Sequence, residues 1–221
     1  MEPPDSADEP VVTGAGGHYF DTTPSAASRP STVRLDLPDR SLELHTDRGV
    51  FSPDRIDPGT KLLLMELPQP ADLPAGPVAD VGCGYGPIAT ALAARGAGPV
   101  WAVDVNSRAR DLCRANLARH APPGTEVHVV DPTAVPADLR VGTIVSNPPI
   151  RVGKSALHGL LDTWLARLAP EGEAWLVVQK HLGADSLARW LEGRGHAVDR
   201  VRSRQGYRIL RVAPAAPVAV A

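Results

Sequence analysis

"ADVGCGYGPIA", residues 79–89, carries an apolar run into a helix-forming one through Gly82, Gly84 and Gly86. Glycine lets the backbone turn tightly there and approach a ligand with no Cβ in the way, and the helix that follows offers unpaired N–H groups. The spacing is GxGxG, not the GxGxxG of dinucleotide sites, and Pro87 stands where a third glycine would cushion helix against strand. The loop therefore suits something smaller than a pyrophosphate, a ligand with a carboxylate and an amine.

On either side of the loop the pattern alternates strand and helix. "VADVG" is followed by a helix from Pro87 to Arg95, then "VWAVDV", a helix over 107–119, "VHVV", "GTIVS", a helix over 155–168, "AWLVVQ" and a helix over 184–193. "AVDRVRS" and "YRILRVA" close the chain as an antiparallel hairpin turning at Arg204-Gln205-Gly206. Repeated βα units predict an α/β fold with a mostly parallel, Rossmann-like sheet covered on both faces, its ligands at the carboxyl ends of the strands. Upstream, "TVRLDLPDRSLELHT" alternates around Pro38-Asp39 as an N-terminal β-hairpin, and "GTKLLLMEL" suits a short helix. The expected organisation is a mostly disordered segment over 1–30, a catalytic domain over 31–212 whose first part (31–60) is the hairpin extension, and a loose tail over 213–221. "HYF" (18–20) is the one part of the first segment able to dock on the domain.

The chain has 221 residues, 43% of them apolar, which is enough for one domain core. No apolar run approaches the roughly 18–20 residues of a membrane span. The acidic, proline-rich "MEPPDSADEP" is the opposite of a signal peptide, so a cytoplasmic location is expected. Cys83 and Cys113 are too few for a disulfide framework, and the seven histidines show no zinc-ligand spacing, so no metal is expected.

The second strand ends in Asp104, 22 residues after Gly82, where α/β proteins hold ribose hydroxyls on an acid. Asp131 ends the third strand, in position to read an adenine amino group or to cap "DPTAVP". A nucleoside and an amino acid without phosphate describe S-adenosylmethionine.

"IVSNPPIRVGK" (144–154) ends a buried strand at Asn147 with a stiff Pro148-Pro149 corner, then two cations. As a turn it is unremarkable. As a site, the Asn147 side-chain oxygen and the Pro148 carbonyl can accept both N–H bonds of an exocyclic amino group and aim its lone pair. In the amino-group methyltransferases that this corner resembles, an aromatic stacks on the target base where Ile150 stands here, and Phe51, Tyr207 or "HYF" are the candidates to supply that ring. Residues 1–139 carry 11 Lys+Arg against 19 Asp+Glu (−8), and residues 140–221 carry 12 against 6 (+6). The basic half matches a polyanionic partner. Arginine outnumbers lysine 20 to 3, yet Lys154 and Lys180 both fall just beyond strand ends flanking the expected site.

In order and spacing, "DVGCGYGPIA", "VDVN" and "SNPPIRVGK" resemble the class I S-adenosylmethionine-dependent methyltransferases. More narrowly, "TDRGVFS", "GTKLLL", "NPPIRVGKSALH", "VVQKHLGADSL" and "GYRIL" resemble the small-domain methyltransferases related to the small-subunit ribosomal RNA guanine-N2 enzymes. The resemblance implies cofactor contacts at Asp80, Gly82, Gly84, Gly86, Asp104, Asn106, Asp131 and Asn147. It implies catalysis at Asn147, Pro148, Pro149 and Ile150, and RNA contacts at Phe51, Arg151, Lys154, Lys180 and Tyr207. The expected reaction is methyl transfer to guanine N2 in ribosomal RNA. A protein glutamine or a small amine is the alternative acceptor, and a non-catalytic RNA-binding module the alternative class.

Overall fold

The sheet is set by four short parallel strands whose ladders keep one register, three of them buried and the edge strand partly exposed. A computed structural model describes residues 26–214; "HYF" and most of the C-terminal tail lie outside them. The elements are β1 (Ser31–Asp36), β2 (Ser41–Thr46), α1 (Pro58–Glu66), β3 (Val78–Val81), α2 (Pro87–Ala94), β4 (Val100–Val103), α3 (Ser107–His120), β5 (Val127–Val130), β6 (Val141–Ser146), α4 (Lys154–Leu165), β7 (Leu168–Gln179), α5 (Ala184–Gly193), β8 (Ala197–Arg204) and β9 (Tyr207–Ala213). Seven strands form one sheet in the order β5-β4-β3-β6-β7-β9-β8, and β1-β2 is a separate two-stranded hairpin. Pairing is parallel from β5 to β7 and antiparallel for β7-β9 and β9-β8. The order reverses between β3 and β6, which sends successive connections to opposite faces and leaves a crevice at the strands' carboxyl ends.

Alternation along β7 and β9 divides the core between two faces. Trp175, Val177 and Ile209 join the hairpin, α1, α2 and α3 on one face. Leu176, Val178, Leu210 and Val212 meet α4 and α5 on the other. The hairpin is held by Asn116 of α3, fully buried. Its amide oxygen accepts from His45 N–H at 2.7 Å, and its nitrogen donates to the carbonyls of His45 and Tyr85. Truncating Asn116 would leave the buried Tyr85 carbonyl unpaired, at about 1–3 kcal/mol, and remove the partner of the part-buried His45 groups. One side chain thus ties the hairpin to the glycine loop.

Two boundaries differ from the sequence reading. The helix expected over 155–168 ends at Leu165, and β7 starts at Leu168, ahead of Pro170 and Gly172, which read locally as a loop. A register shift against β6 between Val141 and Thr143 accommodates the proline, as bulges do. The β8-β9 turn uses Gln205 and Gly206, both at positive φ (50° and 81°), the two-residue geometry that matches strand twist.

Candidate active site

The glycine loop leaves β3 and enters α2 with Gly86 at φ 87° as the N-cap. A Cβ there would come within 2.5 Å of Cys113 Sγ, so packing against α3 as well as φ requires glycine. Gly84 N–H donates to Asp104 at 2.8 Å, and Asn106 N–H donates to its other carboxylate oxygen at 2.9 Å. Each oxygen keeps a lone pair for a further donor. Burial pushes the Asp104 carboxyl above the usual range. Asp80 is wholly buried beneath the loop: one oxygen accepts Ala89 N–H at 2.9 Å, and the other has no partner. Burial raises its pKa from 3.8 to about 8.

These residues fit S-adenosylmethionine. Asp104 offers paired acceptors for vicinal hydroxyls, Gly84 allows close approach, and the orphaned Asp80 oxygen calls for a donor such as an amine. Asp131 is more committed than the sequence suggested. One oxygen accepts from the backbone and hydroxyl of Thr133, capping the turn at 132–134, and the other pairs with Arg110 at 3.1 Å. Those bonds hold its carboxyl below the usual range.

Asn147 follows β6, with Ser146 Oγ tied to the Val81 carbonyl at 2.6 Å. Gly82 and Pro149 are close enough that a Cβ on Gly82 would lie 4.0 Å from Pro149 Cδ, which brings the corner against the glycine loop. Pro149 (φ −74°, ψ 75°) is the centre of an inverse γ-turn: Ile150 N–H donates to the Pro148 carbonyl at 2.8 Å. That carbonyl retains one lone pair for a substrate. Ile150 is half-buried against the α4–α5 core and offers no stacking face comparable to an aromatic.

Sequence reading marked Phe51 and "TDRGVFS" in the segment over 47–57 but not the contacts that hold it or the place of Asp57. Asn106 donates to the Gly49 carbonyl at 2.8 Å, and Asn147 donates to Asp57 at 2.9 Å, so its ends are fastened on either side of the glycine loop. Phe51 lies between them, 39% exposed and not part of the core. Tyr207 is fixed differently: a Cβ on Gly59 would meet its ring at 2.5 Å, and its hydroxyl accepts from Gln179 at 3.0 Å. One face of that ring is therefore covered by the start of α1.

The cations of the basic half divide by pairing. Arg194, Arg200, Arg202, Arg208 and Arg211 each bind an acid. Arg151, Lys154 and Lys180 are exposed and have no acidic partner among the described residues, and neither have Arg204, Arg140, Arg167 and Arg189; Arg140 and Arg167 donate to backbone carbonyls instead. Lys180 N–H donates to the Gly206 carbonyl, which sets the β8-β9 turn and Arg204 beside the end of β7. Arg151, Lys154, Lys180 and Arg204 thus lie by the carboxyl ends of β6 and β7 and the β8-β9 turn, while Arg140 and Arg167 precede β6 and β7 and Arg189 lies on α5.

The family model described as the methyltransferase small domain matches residues 41–211. The chain belongs to that family. This small-domain methyltransferase is 33% identical over 196 residues to protein YbxB of Bacillus subtilis, covering 88% of its own length and 96% of the relative. It is also 33% identical to ribosomal RNA small subunit methyltransferase C of Shewanella amazonensis over 174 residues, 76% of this chain but 49% of that one. It therefore spans about half the length of such relatives. Its fold matches that of the T. thermophilus 16S rRNA N2 G1207 methyltransferase in complex with AdoMet and guanosine (TM-score 0.73, 23% identity, 85% of this chain and 51% of that one). Among the described residues no helix is long and apolar enough to cross a membrane, and no cluster of three or more His, Cys, Asp or Glu could hold a metal.

Proposed function

We propose that this methyltransferase transfers a methyl group from S-adenosylmethionine to guanine N2 of ribosomal RNA. The carrying observation is the Asn147 corner: a rigid pair of acceptors at the end of β6, set against the glycine loop. Bound, the cofactor supplies a methyl on a sulfonium, an electrophile that needs no metal or general acid. Asp104 would hold the ribose hydroxyls and Asp80 the amine, with Asp131 and Asn106 shaping the adenine side.

An exocyclic amino nitrogen is a poor nucleophile because its lone pair is delocalised into the ring. Asn147 Oδ1 and the free lone pair of the Pro148 carbonyl would take its two hydrogens, turning the nitrogen lone pair toward the methyl group. The oxygens are held before substrate arrives, so little reorganisation remains at the transition state. Phe51 would cover a face of the base in the role that Ile150 cannot fill.

The corner alone serves a glutamine amide or a small amine as well. The unpaired Arg151, Lys154, Lys180 and Arg204 favour RNA, because their charge is not cancelled locally while neighbouring arginines are neutralised by acids. The names of the relatives point the same way. Purified protein with labelled S-adenosylmethionine should methylate small-subunit ribosomal RNA, free or assembled, to give N2-methylguanosine by nucleoside mass spectrometry. Asn147→Ala should lose roughly 100-fold or more in turnover with cofactor affinity retained. Methylation of glutamine peptides with none of RNA would reject this acceptor.

A further inference from the structure

Asn147 is an asymmetric group, and only one of its two orientations presents an acceptor to a substrate. Its nitrogen donates to Asp57 Oδ1 at 2.9 Å and to Thr60 Oγ1 at 3.0 Å. Both amide hydrogens are thereby taken, and Oδ1 is the polar atom left over. Rotating the amide by half a turn would set Oδ1 against the Asp57 carboxylate, acceptor against acceptor, and would turn N–H groups toward an amino substrate that also donates.

Asp57 is itself held in place. As the N-cap of α1 it accepts Thr60 N–H at 2.9 Å with the same Oδ1, and Pro58 at the first helical position stiffens the turn. Its other oxygen accepts from the Tyr207 hydroxyl at 3.4 Å, and that hydroxyl accepts from Gln179 at 3.0 Å. The donors thus run in one direction, from Gln179 through Tyr207 to Asp57, with Asn147 donating into the same carboxylate from the other side. Thr60 is buried, so its hydroxyl has little water to turn to. A donation from the Asn147 nitrogen to an anion also shifts amide electron density onto Oδ1, making it the stronger acceptor.

We infer that Asp57 and Thr60 are positioning residues that set and polarise the Asn147 amide for methyl transfer, with Tyr207 and Gln179 bracing Asp57. The inference rests on the reaction proposed above, and the experiment separates the two. Asp57→Ser keeps a capping oxygen for α1 but is too short to hold Asn147; Asp57→Asn keeps both the cap and an acceptor in reach. Thr60→Val removes the second acceptor at nearly constant shape, and Thr60→Ser restores it. Turnover on small-subunit ribosomal RNA should fall about 10-fold in Asp57→Ser and in Thr60→Val, and about 100-fold in the double variant. The Asn and Ser replacements should recover most of it, with cofactor Kd within about twofold throughout. By NMR, solvent exchange of the Asn147 side-chain amide protons should quicken in the double variant. Parent-like turnover in the double variant, a loss carried wholly by cofactor Kd, or unchanged amide exchange would overturn the inference. If the parent protein fails to methylate RNA, the acceptor assignment falls, while the exchange comparison still decides whether Asp57 and Thr60 hold Asn147.

Discussion

Raising the pH should weaken this fold through Asp80, with Asp104, also shifted upward by burial, acting in the same direction. Asp80 is buried, keeps one hydrogen-bond donor, and has its pKa raised from 3.8 to about 8 by loss of hydration. Between those values the folded chain holds a proton at Asp80 that the unfolded chain has released. The folded state therefore binds more protons there, and stability falls as pH rises. The contribution is complete below about 3.8, declines through the window and is lost as pH passes 8. The slope is about 1.4 kcal/mol per pH unit, so from pH 6 to 8, where the titration rounds off, the loss is about 2 kcal/mol. At roughly 2–4 °C per kcal/mol for a domain of this size, Tm should drop roughly 4–8 °C. Asp39, Asp47 and Asp131 are shifted downward, so their stabilising effects are lost below pH 4 and do not enter this window.

The assay is thermal unfolding of the parent and of Asp80→Asn across pH 5.5–8.5 in constant salt. Asparagine keeps the shape and an acceptor for Ala89 N–H but cannot ionise. The gap between the two proteins should widen in favour of the variant as pH rises, by about 2 kcal/mol between pH 6 and 8. Saturating S-adenosylmethionine should reduce the slope in the parent alone, because an amine beside Asp80 favours its ionised form. A gap that stays flat across the range would refute the assignment of a buried, proton-holding Asp80.

Gly86→Ala should destabilise the domain by about 2–5 kcal/mol, since the new Cβ meets Cys113 Sγ at 2.5 Å in a left-handed backbone. Cys113→Ala in the same chain removes the nearest atom and should recover only part of the loss in chemical unfolding. RNA affinity should fall with salt, and Lys154→Ala should flatten the log–log slope by about 0.7–0.9. An unchanged slope would take Lys154 off the RNA path.

The fold was legible because its signals are local. Strand and helix periods and the Gln205-Gly206 turn act over a few residues, and the antiparallel hairpin follows from the last two strands. The exception is informative: Pro170 and Gly172 read as loop, and only pairing of β7 with β6 and β9 makes that stretch part of the sheet. Sheet formation there is a tertiary effect that overrides local propensity.

The site divides along the same line. Gly82–Gly86, Asp104 and Asn147 stand at strand ends, where a βα pattern alone says ligands collect. Asp57 and Thr60 carry no such mark, being 90 and 87 positions from Asn147, and within their own stretch they read only as the start of a short helix. Charge shows the limit most clearly. Counting gave a +6 half, but Arg202 of that half is bound to Glu66 of the acidic half, a pairing no count reveals. What distinguishes Arg151, Lys154 and Lys180 is not the sign they share with Arg194, Arg200 and Arg211 but the lack of an acid within reach. An exposed ion pair contributes little to stability, yet it cancels the field at its position. The arginines of β8 and β9 other than Arg204 are thus largely silenced, and of the cations left without an acid, Arg151, Lys154 and Lys180 are the ones beside the acceptor corner.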